Sequence, residues 1–322
     1  MSDKNPNKTR NSIVDLLRII LTVLVVNVHI RIITGIKENF LEPYTWYTVP
    51  LFIILSFFFS SSKPLITRIK RLFIPLIFWS AAGFIIHPNL LNVKNIFLQF
   101  LTGHVVNTPL YYLVLLILFT IIYWLINQLP SRVKIFIYLL IILIPLILEY
   151  SNFNYNLFSP MIEVVKKSYG RFVELIKYIP IGLAFVFLRK KINKNIVFLI
   201  LSLIFFMLFF AVSYIPVPLD FHFSGLKTLV GSIMIFSLTL GLSGFKFNDK
   251  VNNVINLLGK YSFGVYLSHY LFLETILKIY PALKSFIALY QIPFLIFYAA
   301  GCYAFCFLFD FLTFKKLSYL VK

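Results

Sequence analysis

The chain is a succession of apolar runs, each about 16 to 25 residues long, cut off by charged, proline-containing or asparagine-rich breaks. A helical run of that length matches the hydrocarbon thickness of a bilayer. The runs predict about ten spans, at 12–34, 43–61, 72–88, 109–127, 134–149, 174–188, 195–214, 225–244, 261–280 and 286–313. Of the 322 residues, 60% are hydrophobic and 13% charged, whereas soluble domains carry roughly a quarter charged residues. The expected fold class is therefore an all-α polytopic membrane protein. Stretch 89–103, NLLNVKNIFLQFLTG, is too polar for a span and reads as an amphipathic helix lying at the interface. With no internal repeat or low-complexity segment, residues 1–322 read as one integral membrane domain, with tails at 1–11 and 314–322.

The formal net charge is +19, but the lysines and arginines are dispersed among short loops. That argues against a nucleic-acid partner and for a positive-inside topology beside anionic lipid headgroups. With the N-terminus inside, the inner segments hold Lys4, Lys8 and Arg10, then KPLITRIKR (63–71), Arg132 and Lys134. They continue with RKKINK (189–194), Lys246, Lys250, Lys260, Lys315, Lys316 and Lys322. Both termini are expected to be cytoplasmic. Lys166, Lys167 and Arg171 are the main exceptions, on the outer side. No small-x-small cleavage site follows the first run, so it reads as a retained span. The abundance of Lys, Asn, Ile and Phe suits an AT-rich bacterial genome, and the expected location is the bacterial cytoplasmic membrane.

Ionisable groups inside apolar runs are costly, so each is a functional candidate. In RIILTVLVVNVH the eleven steps from Arg18 to His29 rotate by roughly 1100° and rise about 16 Å. The two residues share a helix face at different depths, with Asp15 and Thr22 within about 60° of Arg18. Asp15 and Arg18 alone could be an ion pair anchoring the helix end. His29 could bond a neighbouring helix or act in chemistry. In GKYSFGVYLSHYLFLETIL, Tyr266 and His269 lie one turn apart and could line a substrate groove or make a packed polar contact, with Glu274 five residues on. Arg68, Lys70 and Arg71 are a positive-inside signal that would also suit a phosphate-bearing ligand. His87, His104 and His222 near outer loops read as interfacial or solvated, as do Arg10, Glu38, Glu42, Glu149 and Asp220. Cys302 and Cys306 read as packing residues, and no His, Cys and Asp spacing suits a metal. No phosphate-binding loop, GxSxG elbow or dinucleotide fingerprint is present.

Four blocks together resemble the membrane-bound acyltransferase 3 family. They are IVDLLRIILTVLVVNVHI with Asp15, Arg18 and His29; VPLFIILSFFF (49–59), with Phe57 where glycine is common; RIKRLFIP (68–75); and GKYSFGVYLSHYLFL (259–273). TPLYYLVLLI (108–117) is similar to the start of another family span, with Tyr111 in place of tryptophan. Their order and spacing cover nearly the whole chain. The resemblance implies transfer of an acyl group, most often acetyl from acetyl-CoA, and the form without an added hydrolase-like domain. In that form the acceptors include capsule, exopolysaccharide and lipid-linked oligosaccharide.

It also implies roles. Arg18 and His29 would be the essential pair, with Asp15 holding Arg18. Arg68 and Arg71 would bind the donor phosphates, and Tyr111, Tyr266 and His269 would line the substrate path. His29 would act as a general base or as a transient acyl carrier. No metal is implied, and glycan-assembly enzymes are conceivable partners. Two other functional classes fit parts of the pattern: a glycan exporter or flippase, and a non-catalytic component of a polysaccharide-assembly complex. The exporter class fits less well because repeated halves and paired broken helices are missing from the sequence.

Overall fold

The computed structural model describes residues 11–35, 40–60, 63–150, 171–192, 194–213, 225–313 and 316–321. Among the described residues the chain is helical, with short 3-10 turns and no strand. The helices are α1 (Ser12–Thr34), α2 (Glu42–Thr45), α3 (Thr48–Ser60), α4 (Leu65–Ile86), α5 (Val93–Thr102) and α6 (Tyr111–Asn127). They continue as α7 (Ser131–Tyr150), α8 (Tyr178–Lys191), α9 (Asn195–Ser213), α10 (Leu226–Gly241), α11 (Asp249–Ile279), α12 (Leu283–Leu289) and α13 (Gln291–Leu312). The protein is an all-α polytopic membrane protein.

Local chemistry sets the helix ends. The Asn11 side chain accepts from the backbone N–H groups of Ile13 and Val14 at the start of α1, and Gly35 closes it at φ +72°. Asn92 and Gly103 bracket α5 in the same way, so the polar stretch 89–103 does contain the short helix its pattern predicts. Pro64 precedes α4, which begins well before the predicted boundary at 72 and carries the RIKR cations into the helix. The predicted run 286–313 is two helices, broken between Leu289 and Gln291, with Pro293 in the first turn of α13.

Seven described segments are long and apolar enough to cross a membrane: 12–34, 65–86, 108–127, 131–148, 195–213, 226–244 and 291–312. The other three predicted spans fall on α3, α8 and α11. α3 has 13 residues and α8 has 14, while α11 has 31 but opens with the polar stretch DKVNNVINLLGK. Ile135, Phe136, Leu139, Leu143 and Ile147 of α7 are exposed, as lipid-facing side chains are. The outer-loop residues Lys166, Lys167, His222, Glu38 and Asp220, the side chain of Glu149 and most of the two tails lie outside the described residues.

The centre is a parallel pair, α1 and α11, packed along their length. Asp15 meets Gly259, Thr22 Oγ donates to the Ser262 carbonyl at 3.4 Å, and His29 meets His269. A Cβ on Gly259 would lie 2.5 Å from the Asp15 Cβ, so only glycine permits this approach. α13 runs antiparallel to α11. Tyr261 donates to Asp310 at 2.8 Å, Ser262 and Tyr303 share a bond of 3.0 Å, and the Tyr298 hydroxyl donates to the His269 carbonyl. Residues 316–321 fold back onto the bundle. Leu320 and Val321 are buried, Trp79 Nε1 donates to the Leu320 carbonyl at 3.3 Å, and Gly264 packs against the Val321 backbone.

One end of the bundle gathers Arg18, Lys63, Arg68, Arg71, Lys260 and the Arg189–Lys191 run, and is the basic end. The Asn11 side chain donates to the Ser243 carbonyl there at 3.2 Å, joining α1 to the turn after α10. At the far end, Arg31 pairs with Glu42 and His87 with Glu274, both at 3.0 Å.

Candidate active site

A cavity of about 460 Å³ opens at the basic end between α1, α3, α4, α6 and α11. Arg18, Lys63, Arg68, Arg71 and Lys260 line it, and among the described residues no carboxylate does. Phe52, Phe59, Tyr112, Tyr266, Ser262 and the Ser318–Tyr319 pair of the folded-back segment form much of the remaining wall. Helix geometry places the cations together. Arg68 and Arg71 are one turn apart on α4 because the RIKR stretch is helical.

The cations differ in setting. Arg68 is buried against the rings of Phe57 (4.6 Å) and Tyr123 (5.5 Å), and its Nη1 has no hydrogen-bond partner among the described residues. Phe57, standing where the family pattern commonly has glycine, is thus the platform for this guanidinium. A buried guanidinium N–H without an acceptor is costly unless a ligand supplies one. Arg18 donates to Asp15 at 3.0 Å and lies over Phe59 at 5.1 Å. Asp15 is buried while Arg18 is half-buried, so Asp15 fixes Arg18 from behind and leaves it facing the cavity. Burial, then the charges of Arg71 and Arg68, lower the pKa of Lys63 in the connection before α4.

Beyond Tyr266 lies a second group. Tyr266 lines the cavity, donates to the Pro109 carbonyl at 3.0 Å, and sits 6.2 Å from the His269 ring, centre to centre. His269 is 5.1 Å from His29, whose ring also meets Tyr270 edge-on at 5.2 Å. His269 Nδ1 lies 3.1 Å from the Val265 carbonyl. A carbonyl only accepts, so Nδ1 carries the proton and Nε2 of the neutral ring holds the lone pair. Neither His269 Nε2 nor His29 Nδ1 has a hydrogen-bond partner among the described residues. Two buried imidazoles with open nitrogens can accept and return a proton.

Arg18 and His29 therefore occupy separate compartments. Arg18 faces the cavity with Arg68 and Arg71, whereas His29 joins His269. Tyr111 lies outside the cavity wall. Its ring stacks on His104 at 4.8 Å and 8° and carries the Arg171 guanidinium at 4.4 Å, while its neighbour Tyr112 lines the cavity. Glu274 pairs with His87 rather than joining the histidine pair. Lys63 and Lys260 enter the cavity wall although the sequence marked them only as loop charges. Lys260 follows Gly259 in the fourth block, which was the available signal.

The family model for the acyltransferase domain matches residues 11–311. The chain belongs to the acyltransferase 3 family. That match spans every cavity-lining residue except Ser318 and Tyr319, together with both histidines of the pair. The protein is a multi-pass membrane acyltransferase. No curated protein and no solved structure matches this acyltransferase.

Proposed function

We propose that this acyltransferase moves acetyl from acetyl-CoA to a hydroxyl of a cell-surface or lipid-linked polysaccharide, of capsule or exopolysaccharide type. The observation that carries this reading is the placement of Tyr266 between a five-cation cavity and a histidine pair. The excess of positive charge makes the basic end cytoplasmic in a bacterial cytoplasmic membrane, where acetyl-CoA is available. Both chain termini then face the cytoplasm.

The phosphates of the donor suit Arg68, Arg71, Lys63 and Lys260, which offer charge-assisted donors and meet no competing carboxylate. The thioester arm extends past Arg18 toward Tyr112 and Tyr266. Arg18, fixed by Asp15, orients it. From the far end an acceptor hydroxyl gives its proton to His29 as its oxygen attacks the thioester carbonyl. The new C–O bond forms, the C–S bond breaks, and the imidazolium returns the proton to the CoA thiolate. His269, with its lone pair on Nε2, is a positioning residue for His29.

Acetyl transfer from labelled acetyl-CoA in proteoliposomes tests the reaction, and mass spectrometry of surface glycans with and without the protein names the acceptor. The expected result is an acetyl increment lost in a well-expressed His29→Ala variant. Retained acetylation in that variant overturns the reading.

A further inference from the structure

Arg171 breaks the charge pattern of the sequence, since it is a cation at the far end of the bundle. It takes no part in the donor cavity. Its guanidinium carbon lies over Tyr111, 4.4 Å from the ring centre in a cation–π contact, and Nη1 donates to His104 Nε2 at 3.3 Å. His104 in turn stacks on Tyr111, with planes 8° apart. Two aromatic rings thus hold the guanidinium by its face and one corner. Its remaining edge N–H groups make no bond to a described residue. Because an arginine only donates, His104 Nε2 accepts and the proton of its neutral ring sits on Nδ1.

Among the described residues no carboxylate lies within ion-pair distance of Arg171. Glu174, one turn on, is buried, but it is not the counter-ion of Arg171. A half-buried guanidinium with no counter-ion among the described residues is an anion site in waiting. Its position matters as well. Arg171 and His104 lie within electrostatic range of His29, and Arg171 within that of Tyr266. The histidine pair therefore has a cation group on each side: the donor cavity at the basic end, and Arg171 at the far end.

We propose that Arg171, His104 and Tyr111 form an acceptor subsite that recognises an anionic sugar, holding its carboxylate or phosphate while a nearby hydroxyl meets His29. This deepens the glycan-acylation reading above and rests on it. The open guanidinium edge presents two N–H groups side by side, which fit two oxygens of one anion. Tyr111 and His104 hold that edge in place.

The test uses the full-length protein in lipid nanodiscs with three probes: methyl β-glucuronide, methyl β-glucoside 6-phosphate and neutral methyl β-glucoside. Binding is read by saturation-transfer NMR, and acetylation in the presence of acetyl-CoA by mass spectrometry. At least one charged probe should bind about tenfold or more tightly than the neutral one, and the tighter of the two names carboxylate or phosphate. Arg171→Gln should bring charged-probe affinity down to the neutral level, and Arg171→Lys should keep part of the preference; size-exclusion profiles check that both variants fold. Equal binding of all three probes, absence of binding, or a preference that survives Arg171→Gln overturns the subsite. Selective, Arg171-dependent binding without acetylation keeps the subsite and rejects acylation of such glycans. Acetylation of charged and neutral probes with equal KM does the reverse.

Discussion

The rings of His29 and His269 meet 5.1 Å apart, centre to centre and tilted by 51°, across two helices that run side by side in the same direction. Paired imidazoles act as a unit, so their losses should not add. His29→Ala and His269→Gln are each expected to lower kcat by at least about 100-fold. The double variant should be no worse than the poorer single by more than a few-fold. CoA release at matched membrane levels measures this, and fully multiplicative losses would show that the two rings work independently.

Arg68 is expected to govern donor binding. Arg68→Ala should raise KM for acetyl-CoA about tenfold or more, the scale of a lost charge-assisted hydrogen bond, with a smaller change in kcat. Arg71 is exposed. Its replacement by alanine should cost less, and the effect should fade in high salt. A larger loss at Arg71 than at Arg68 would contradict the placement of the buried guanidinium.

Lys63 gives the cavity a pH response. Its pKa is lowered by burial and by Arg71 and Arg68, so it sheds its proton at a lower pH than an ordinary lysine. An anionic donor favours the protonated form. Donor affinity should thus be complete below that lowered pKa and decline as pH rises through it. Lys63→Arg keeps the charge, so its KM profile should flatten on the alkaline side. An alkaline rise of the same size in both proteins would remove Lys63 from the donor site.

Gly259 and Gly301 make a contrasting pair. A Cβ at Gly259 meets Asp15 at 2.5 Å, whereas one at Gly301 meets nothing within 4 Å. Gly259→Ala should destabilise by about 1–3 kcal/mol through overpacking and shift Asp15 away from Arg18. Gly301→Ala, within helix α13, should be neutral or slightly stabilising. Thermal unfolding in detergent separates the two, and equal effects would argue against the close α1–α11 contact.

Cavity access can be mapped with single cysteines. Cys302 and Cys306 are buried and can be replaced by alanine. In that background Ser56→Cys, on the cavity wall, should react with an impermeant maleimide only from the cytoplasmic side. Acetyl-CoA should slow that labelling. Labelling from the opposite side would reverse the assigned orientation.

Much of the fold could be read from runs and caps. Asn11, the apolar stretch after it and Gly35 define α1 without any tertiary information. α11 was harder. Its first turns hold Asp249, Lys250, Asn252 and Asn253, which look like a loop until the helix is seen projecting beyond its apolar part. The cations of the RIKR stretch were misplaced for a similar reason, because the long side chains let a helix continue past the apolar run.

For the site, helical periodicity related Arg18 to Asp15 correctly, since both lie on one helix. It could not bring His29 to His269, which depends on the register between α1 and α11. Nor could it choose between Tyr111 and Tyr112, which share a helix but face different compartments. His104 read as an interfacial or solvated residue and Arg171 as an outer-side exception to the charge pattern, because their meeting is a matter of tertiary packing alone.

The folded-back segment has a consequence for the order of assembly. The cavity draws its wall from Arg18 at one extreme of the chain to Ser318 and Tyr319 near the other, and Trp79 and Gly264 hold that last piece in place. A polypeptide still leaving the ribosome therefore has its cationic residues in the membrane but an open side to the pocket. The cavity closes only after α13 has inserted and the strap behind it has docked, so partly synthesised chains lack the complete compartment.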